Sequence, residues 1–440
     1  MSGEEARLPK TSAFDEHHPP AKEIIDKCVH CGFCLPVCPT YVLWGEEMDS
    51  PRGRIYLMKM AAEGAASMTE KWVGHFDACL GCVACMTACP SGVDYGKLIE
   101  ATRAQIERNF TRPLPERLHR RLIFSIFTQP RRLNLLRWYL RLYQRSGLQK
   151  WVRKSGILPL VSKQLATAEA LLPKIRTVEA VAEITLPRSE KRKRVGLLLG
   201  CVQRAFLSHV NAATARVLAA EGYEVIAPAA QSCCGALLMH GGEEEGAKAR
   251  ARQTIEVFER ADVDYVVANA AGCGSAVKEY AHLLRDDPQY AGRAQRFSSR
   301  CRDVCELLGE SPLRSERKPL TLRVAFHDSC HLQHAQGVRV QPRLLLSQVP
   351  GVEILEIPEA AICCGSAGIY NLVQPEAANA LGDRKAGLIA PLKPSVVVTG
   401  NPGCMLQLEA ALARAKCQVP VLHTIQVLDA SIRGVPVESL

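Results

Sequence analysis

Apolar residues follow two rhythms in this chain. From residue 195 onward, short apolar runs such as "VGLLL" (195–199) and "SVVVTG" (395–400) alternate with longer segments whose apolar positions fall at helical spacing. Examples of the latter are "NAATARVLAAEG" (211–222), "EEEGAKARARQTIEVFERA" (243–261) and "PEAANALGDRKAGLIA" (375–390). A short apolar run bounded by turn residues reads as a buried strand, and strands alternating with helices predict α/β units with a largely parallel sheet. Residues 113–160 show the second rhythm: Leu, Ile, Phe, Trp and Tyr alternate with arginine at roughly helical spacing, broken at Pro130. That pattern is a basic amphipathic segment, suited to an anionic membrane surface or to packing on a neighbouring domain. Residues 161–194 read as linker ending in a charged turn, "KRKR" (191–194). Near the N-terminus, "SPRGRIYLMKMAAEG" (50–64) reads as a helix with an early proline.

The C-terminal half is a repeat. One copy holds "RVGLLLGCVQ", "EGYEVIAPAAQSCCGALL" and "VDYVVANAAGCGS"; the other holds "RVAFHDSCHLQ", "PGVEILEIPEAAICCGSAG" and "PSVVVTGNPGCML". Each copy places a cysteine after a first strand, Cys-Cys-Gly after a second and Gly-Cys after a third. The quartets are Cys201, Cys233, Cys234 and Cys273, then Cys330, Cys363, Cys364 and Cys404, with gaps of 32, 1 and 39 residues against 33, 1 and 40. In open α/β sheets, ligands sit beyond the carboxyl ends of the strands, so each quartet is expected to converge there. Two matched quartets favour metal or cluster ligation, or thiol redox chemistry, over buried thiols. Cys301, Cys305 and Cys417 have no counterpart and read as buried or incidental. His240, His327, His331 and His334 read as polar neighbours of the quartets.

Composition narrows the chemistry. The chain has 440 residues and 19 cysteines. The N-terminus "MSGEEARLPKTSAFDEHH" lacks the basic and apolar regions of a secretory signal, and no run of 18 apolar residues predicts a membrane span. A cytoplasmic location is therefore expected, and cysteines in a reducing compartment point to metal rather than disulfides. The formal net charge of +10, concentrated in residues 103–154 and at 191–194, suits nucleic acid, an anionic membrane or an acidic partner, or is simply a solvated surface.

Cys28, Cys31, Cys34 and Cys38 form C-x2-C-x2-C-x3-C-P, and the pattern recurs 51 residues later at Cys79, Cys82, Cys85 and Cys89. This is the spacing of ferredoxin-type [4Fe–4S] binding, in which the fourth cysteine serves the other cluster. Cluster one is thus expected on Cys28, Cys31, Cys34 and Cys89, and cluster two on Cys79, Cys82, Cys85 and Cys38. Small residues between the cysteines (Gly32, Gly81, Ala84) let backbone N–H groups approach sulfur. The expected architecture is an alpha-helical ferredoxin-like domain (1–110), a basic amphipathic helical linker (111–194) and two repeated α/β Cys-Cys-Gly units (195–310 and 320–436), α+β / α/β in class.

The chain resembles iron–sulfur subunits that join two [4Fe–4S] motifs to two Cys-Cys-Gly domains, such as those of glycolate oxidase, anaerobic glycerol-3-phosphate dehydrogenase and heterodisulfide reductase. "CVHCGFCLPVCPTY", "DSPRGRIYLMK", "TRPLPERL", "NAATARVLA", "GCGSAVKEY", "LQHAQ" and "CCGSAGIYNL" are most similar to the glycolate oxidase iron–sulfur subunit family. That resemblance implies a glycolate dehydrogenase complex. In it, FAD-containing subunits oxidise glycolate to glyoxylate, and this chain passes electrons to quinone or another membrane acceptor, peripheral on the inner face of the cell membrane. Lactate or glycerol 3-phosphate is the alternative substrate. A zinc-dependent nucleic-acid-binding protein is a remote alternative; no nucleic acid is expected. No G-x-G-x-x-G opens a first βαβ unit, which fits a flavin carried by partner subunits. One departure stands out: heterodisulfide reductase units end in C-x-x-C, whereas Cys273 and Cys404 are not followed by such a cysteine. Disulfide reduction is therefore not carried over.

Overall fold

The computed structural model describes residues 12–437. The N-terminal region is helical. Helices Pro51–Ala62, Glu70–Asp77 and Tyr95–Asn109 enclose a core that includes Ile55, Met58, Trp72, Phe76, Leu98 and Ile106. The early proline works as its position predicts. Ser50 is the N-cap and accepts the Gly53 N–H at 3.0 Å, while Pro51 occupies the first turn, where no backbone donor is needed.

The middle segment forms helices Leu114–Phe127, Pro130–Arg145, Leu148–Ser155, Ile157–Val161 and Lys163–Ala170. Pro130 ends one helical run and starts the next. These helices are not a free tether, because Phe124 and the fully buried Leu133 enter the cores of the C-terminal half.

Among the described residues that half holds nine strands: β1 Ile184–Thr185, β2 Arg194–Leu198, β3 Glu224–Ile226, β4 Tyr265–Ala268, β5 Cys301–Asp303, β6 Leu322–His327, β7 Val352–Glu356, β8 Val396–Thr399 and β9 Val421–His423. They make two sheets, ordered β1-β3-β2-β4-β5 and β7-β6-β8-β9. All pairings are parallel except that of β1 with β3. The repeat is therefore topological: β3-β2-β4-β5 and β7-β6-β8-β9 are the same order.

It also runs further than the cysteine pattern. Each copy adds a three-residue fourth strand (β5, β9) followed by a helix with a capping box. In one, Asp303 accepts the Cys305 N–H at 2.8 Å and Glu306 accepts the Asp303 N–H at 3.0 Å. In the other, His423 Nδ1 accepts the Ile425 N–H at 3.1 Å and Gln426 accepts the His423 N–H at 2.9 Å. Cys301 and Cys305 are buried in this layer, where burial pushes the Cys301 thiol up to about 12. Cys417 is half-buried.

The two units share one core. Helix Ser208–Ala220 packs on helix Thr424–Arg433, and Arg216 grips the buried Asp429 carboxylate at 3.0 and 2.6 Å. Among the described residues no helix is long and apolar enough to cross a membrane.

Two leucines on helix Pro130–Arg145 test its packing. Leu133 is fully buried and Leu135 is 57% exposed. Leu133→Ala is expected to destabilise the protein by about 2–5 kcal/mol, and Leu135→Ala by less than about 0.5 kcal/mol, in urea denaturation followed by circular dichroism.

Candidate functional site

The two N-terminal cysteine loops share a backbone shape that composition alone does not demand. The second and fourth residues after the first cysteine are left-handed in both copies: His30 and Gly32 in one, Gly81 and Val83 in the other. A β-branched valine at φ 51° is costly, so the surrounding fold fixes this turn. The turn aims backbone donors at sulfur, and the Gly81 N–H reaches Cys79 Sγ at 3.4 Å.

The loops line two clefts. Cys28, Cys31, Cys34 and Cys89 line the first, together with Cys85, Arg52 and Tyr95. Cys38, Cys79, Cys82 and Cys85 line the second, together with Arg54 and Tyr95. The fourth cysteine of each motif thus sits in the cleft built by the other.

Arg54 dominates the electrostatics of the second cleft. It is 1% exposed, and its guanidinium donates to the Asp49 carbonyl at 2.6 Å, the Asp49 carboxylate at 3.2 Å, the Thr40 hydroxyl at 3.2 Å and the His75 carbonyl at 2.6 Å. Burial pushes the Cys79 thiol up, but Arg54, Arg103, the Gly81 N–H and the Tyr95 hydroxyl outweigh it and hold it below the ordinary thiol value. Cys82 and Cys85 have less cationic help, and burial drives both well up.

The quartets lie where strand topology directs them. Cys201 follows β2, Cys233 and Cys234 follow β3, and Cys273 lies in the helix after β4; Cys330, Cys363, Cys364 and Cys404 occupy the equivalent places after β6, β7 and β8. Gly235 (φ 84°) and Gly365 (φ 91°) close the matched Cys-Cys turns, and a Cβ on Gly365 would lie 2.5 Å from the Ala378 carbonyl oxygen. Hydrogen bonding from Cys201 holds Cys233 well below the ordinary thiol value, and Cys330 does the same for Cys363, whose sulfurs are 4.0 Å apart. Cys404 is brought down to about 5 by its hydrogen bond with Cys364, against burial and with help from His327.

Cys201, Cys233, Cys234 and Cys273 of one quartet and Cys330, Cys363 and Cys404 of the other line one cavity of about 420 Å³, within the size range of ligand pockets. Cys79 and Leu80 reach it from the N-terminal region, and Phe127, Leu136, Leu140 and Leu172 from the middle segment. Its N-terminal wall is pinned in place. His331 Nε2 donates to the Gly81 carbonyl at 3.0 Å, His334 Nδ1 lies 2.8 Å from the Thr87 hydroxyl, and Arg103 bridges the Cys79 and His240 carbonyls.

Spacing located the cysteines but not Arg54, Arg103 or Tyr95, whose placement depends on helix packing. The four histidines near the quartets separate into roles. His331 and His334 tie the halves together, His240 pairs with Glu100 at 3.0 Å, and His327 lies among sulfurs.

Several regions of the chain match known protein families. Residues 24–93 match a 4Fe-4S dicluster domain, residues 115–172 the linker region of the glycolate oxidase iron-sulfur subunit, and residues 195–278 and 324–409 a cysteine-rich domain. The chain is 40% identical over 396 residues to the probable glycolate oxidase iron-sulfur subunit of Bacillus subtilis, covering 88% of this chain and 89% of that one. It is 36% identical over 415 residues to the glycolate oxidase iron-sulfur subunit of Escherichia coli, covering 94% and 95%. Lactate utilization protein A of Geobacillus kaustophilus is 30% identical over 239 residues, which is 54% of this chain and 99% of that one. With a dicluster region, a matching linker and paired cysteine-rich units in one order, the chain belongs to the glycolate oxidase iron–sulfur subunit family.

Proposed function

We propose that this chain conducts electrons out of a glycolate-oxidising complex. Glycolate is oxidised to glyoxylate on an FAD-containing partner subunit, and the electrons leave toward a membrane acceptor such as quinone. The observation that carries the reading is a pair of cysteine-lined clefts, the second of which shares Cys79 and Leu80 with a cavity lined by cysteines of two further quartets. A bound [4Fe–4S] cluster supplies one-electron uptake and release. Cys28, Cys31, Cys34 and Cys89 would hold one cluster; Cys79, Cys82, Cys85 and Cys38 would hold the second. The donor set fits such a group. Four thiolates give the cluster net negative charge, and buried Arg54 places a cation against the second set, while Arg52 lines the first. Cys201, Cys233, Cys234 and Cys273, and Cys330, Cys363, Cys364 and Cys404, would hold further iron–sulfur or metal centres.

The middle helices support the membrane end of this reading. Residues 113–160 contain eleven lysines and arginines against one glutamate, an excess equal to the +10 of the whole chain. Helix Pro130–Arg145 is apolar on two faces. Leu133, Leu136 and Leu140 face inward, whereas Leu135, Trp138, Tyr139 and Leu142 form an exposed stripe at helical spacing. An exposed aromatic–aliphatic stripe set among cations suits the interface of an anionic bilayer, and its inner face lines the cavity. The lactate reading draws on relatives that match about half of this chain, so glycolate is favoured.

The complex, purified anaerobically with its native partners, is expected to carry FAD and to reduce a dye or a soluble quinone with glycolate. Reduction driven by lactate or glycerol 3-phosphate but not glycolate would overturn the substrate. Exchange of the fourth cysteines tests the crossover: Cys38→Ser is expected to perturb the EPR signal of the cluster on Cys79, Cys82 and Cys85, and Cys89→Ser that of the other cluster. Vesicles containing phosphatidylglycerol are expected to sediment the full chain, and charge reversal at Arg131, Arg132 and Lys150 to weaken this on the order of 100-fold. No sedimentation with phosphatidylglycerol vesicles would remove the membrane contact, and equal sedimentation with phosphatidylcholine would remove the role of charge.

A further inference from the structure

We propose that His327 is a ligand of the metal centre on the second cysteine quartet, which therefore takes nitrogen as well as sulfur donors. The inference rests on the reading that the quartets bind metal, and it goes beyond that reading by making the two centres chemically different.

His327 is the last residue of β6, so its side chain leaves the sheet at the carboxyl end, where the topology gathers the cysteines. It is 2% exposed. A ring nitrogen of His327 and the sulfurs of Cys364 and Cys404 all lie within 4.8 Å of one another. Among the described residues this is the only wholly buried group of His, Cys, Asp or Glu with donor atoms so close. Cys330 and Cys363 adjoin it, their sulfurs 4.0 Å apart. A buried imidazole needs a partner for its polar nitrogen, and this one points its need at thiols. Imidazole with thiolate is the donor combination of zinc and of iron, both borderline-soft cations.

The first copy lacks the feature. Aligning "RVGLLLGC" with "RVAFHDSC" sets Leu198 opposite His327. Leu198 is buried in an apolar core and offers no donor. A second difference points the same way. Asn401 donates to Cys404 Sγ at 3.5 Å, and Ala270 holds its place beside Cys273. The repeat thus keeps its cysteines and backbone and changes the donors on one side only.

The test uses the full chain, purified anaerobically, with iron, zinc and sulfide counted per chain and ¹⁴N hyperfine coupling read by pulsed EPR. H327L, which installs the residue of the first copy, is expected to weaken retention of the second quartet's metal at least about 10–100-fold against a chelator. It is also expected to abolish any ¹⁴N coupling of histidine type if that metal is paramagnetic. H327C is expected to restore the metal without the coupling, which separates a ligand from a packing residue. If the bound metal is zinc, zinc content alone reports: lost in H327L, kept in H327C. Retention of both metal and coupling in H327L would overturn the proposal, as would loss that H327C does not rescue. A chain with no metal beyond the two N-terminal clusters would overturn the reading of the quartets as well, and so marks a different failure.

Discussion

The working geometry depends on the seam that fastens the Cys79–Cys89 loop to the C-terminal half. One-electron transfer falls steeply with distance, so the relay proposed above needs its sites held at fixed separation. Here the hold is made by few bonds: His331 to the Gly81 carbonyl, His334 to the Thr87 hydroxyl, and Arg103 between the Cys79 and His240 carbonyls. Apolar contact reinforces them, because Leu80, Cys82 and Ala84 pack with Ile362, Cys363 and Tyr370. Burial drives the His331 imidazole down to about 4, so it is neutral at ordinary pH and donates through Nε2 without bringing charge to a crowded, sulfur-rich wall.

The same economy of charge governs the N-terminal clefts. A buried guanidinium is expensive unless its donors are met. Arg54 has them met by one carboxylate, one hydroxyl and two carbonyls. Those partners lie on separate pieces of chain around the second cleft: Thr40 next to Cys38 and Pro39, Asp49 just before helix Pro51–Ala62, and His75 just before Cys79. Arg54 is therefore both a structural tie and a source of positive potential. It lowers Cys79 because it cannot be moved away from it.

How much of this was legible in the sequence follows the range of each interaction. The cysteine loops are local, and their spacing alone sorted the two sets that the clefts bring together. The α/β repeat was legible for three strands per copy because "VGLLL" and "SVVVTG" are apolar runs. It was not legible for β5 and β9, since "CRD" and "VLH" are short and no cysteine of the repeated pattern follows to mark them as strand ends. The arginine-rich middle announced amphipathic helices, but its pattern could not show that helix Pro130–Arg145 has two apolar faces, one packed and one bare. Arg54, Arg103 and the histidine seam act between residues tens to hundreds of positions apart, and no spacing rule reports them.

Duplication explains why the C-terminal sites are alike in frame and unlike in detail. Strand order, the Cys-Cys-Gly turn and the capped final helix are all constrained by backbone: parallel pairing, positive φ, and unsatisfied N–H groups at a helix start. Those features persist in both copies. The strand-end position is constrained only to be buried and satisfied. Leucine meets that condition at 198 through apolar contact; histidine meets it at 327 only with donors or acceptors beside it. The sulfurs of Cys364 and Cys404 stand there, so the stability of β6's end and the chemistry of the second site rest on the same group. The two sites thus share a frame and differ at the strand end, where one copy holds leucine and the other histidine.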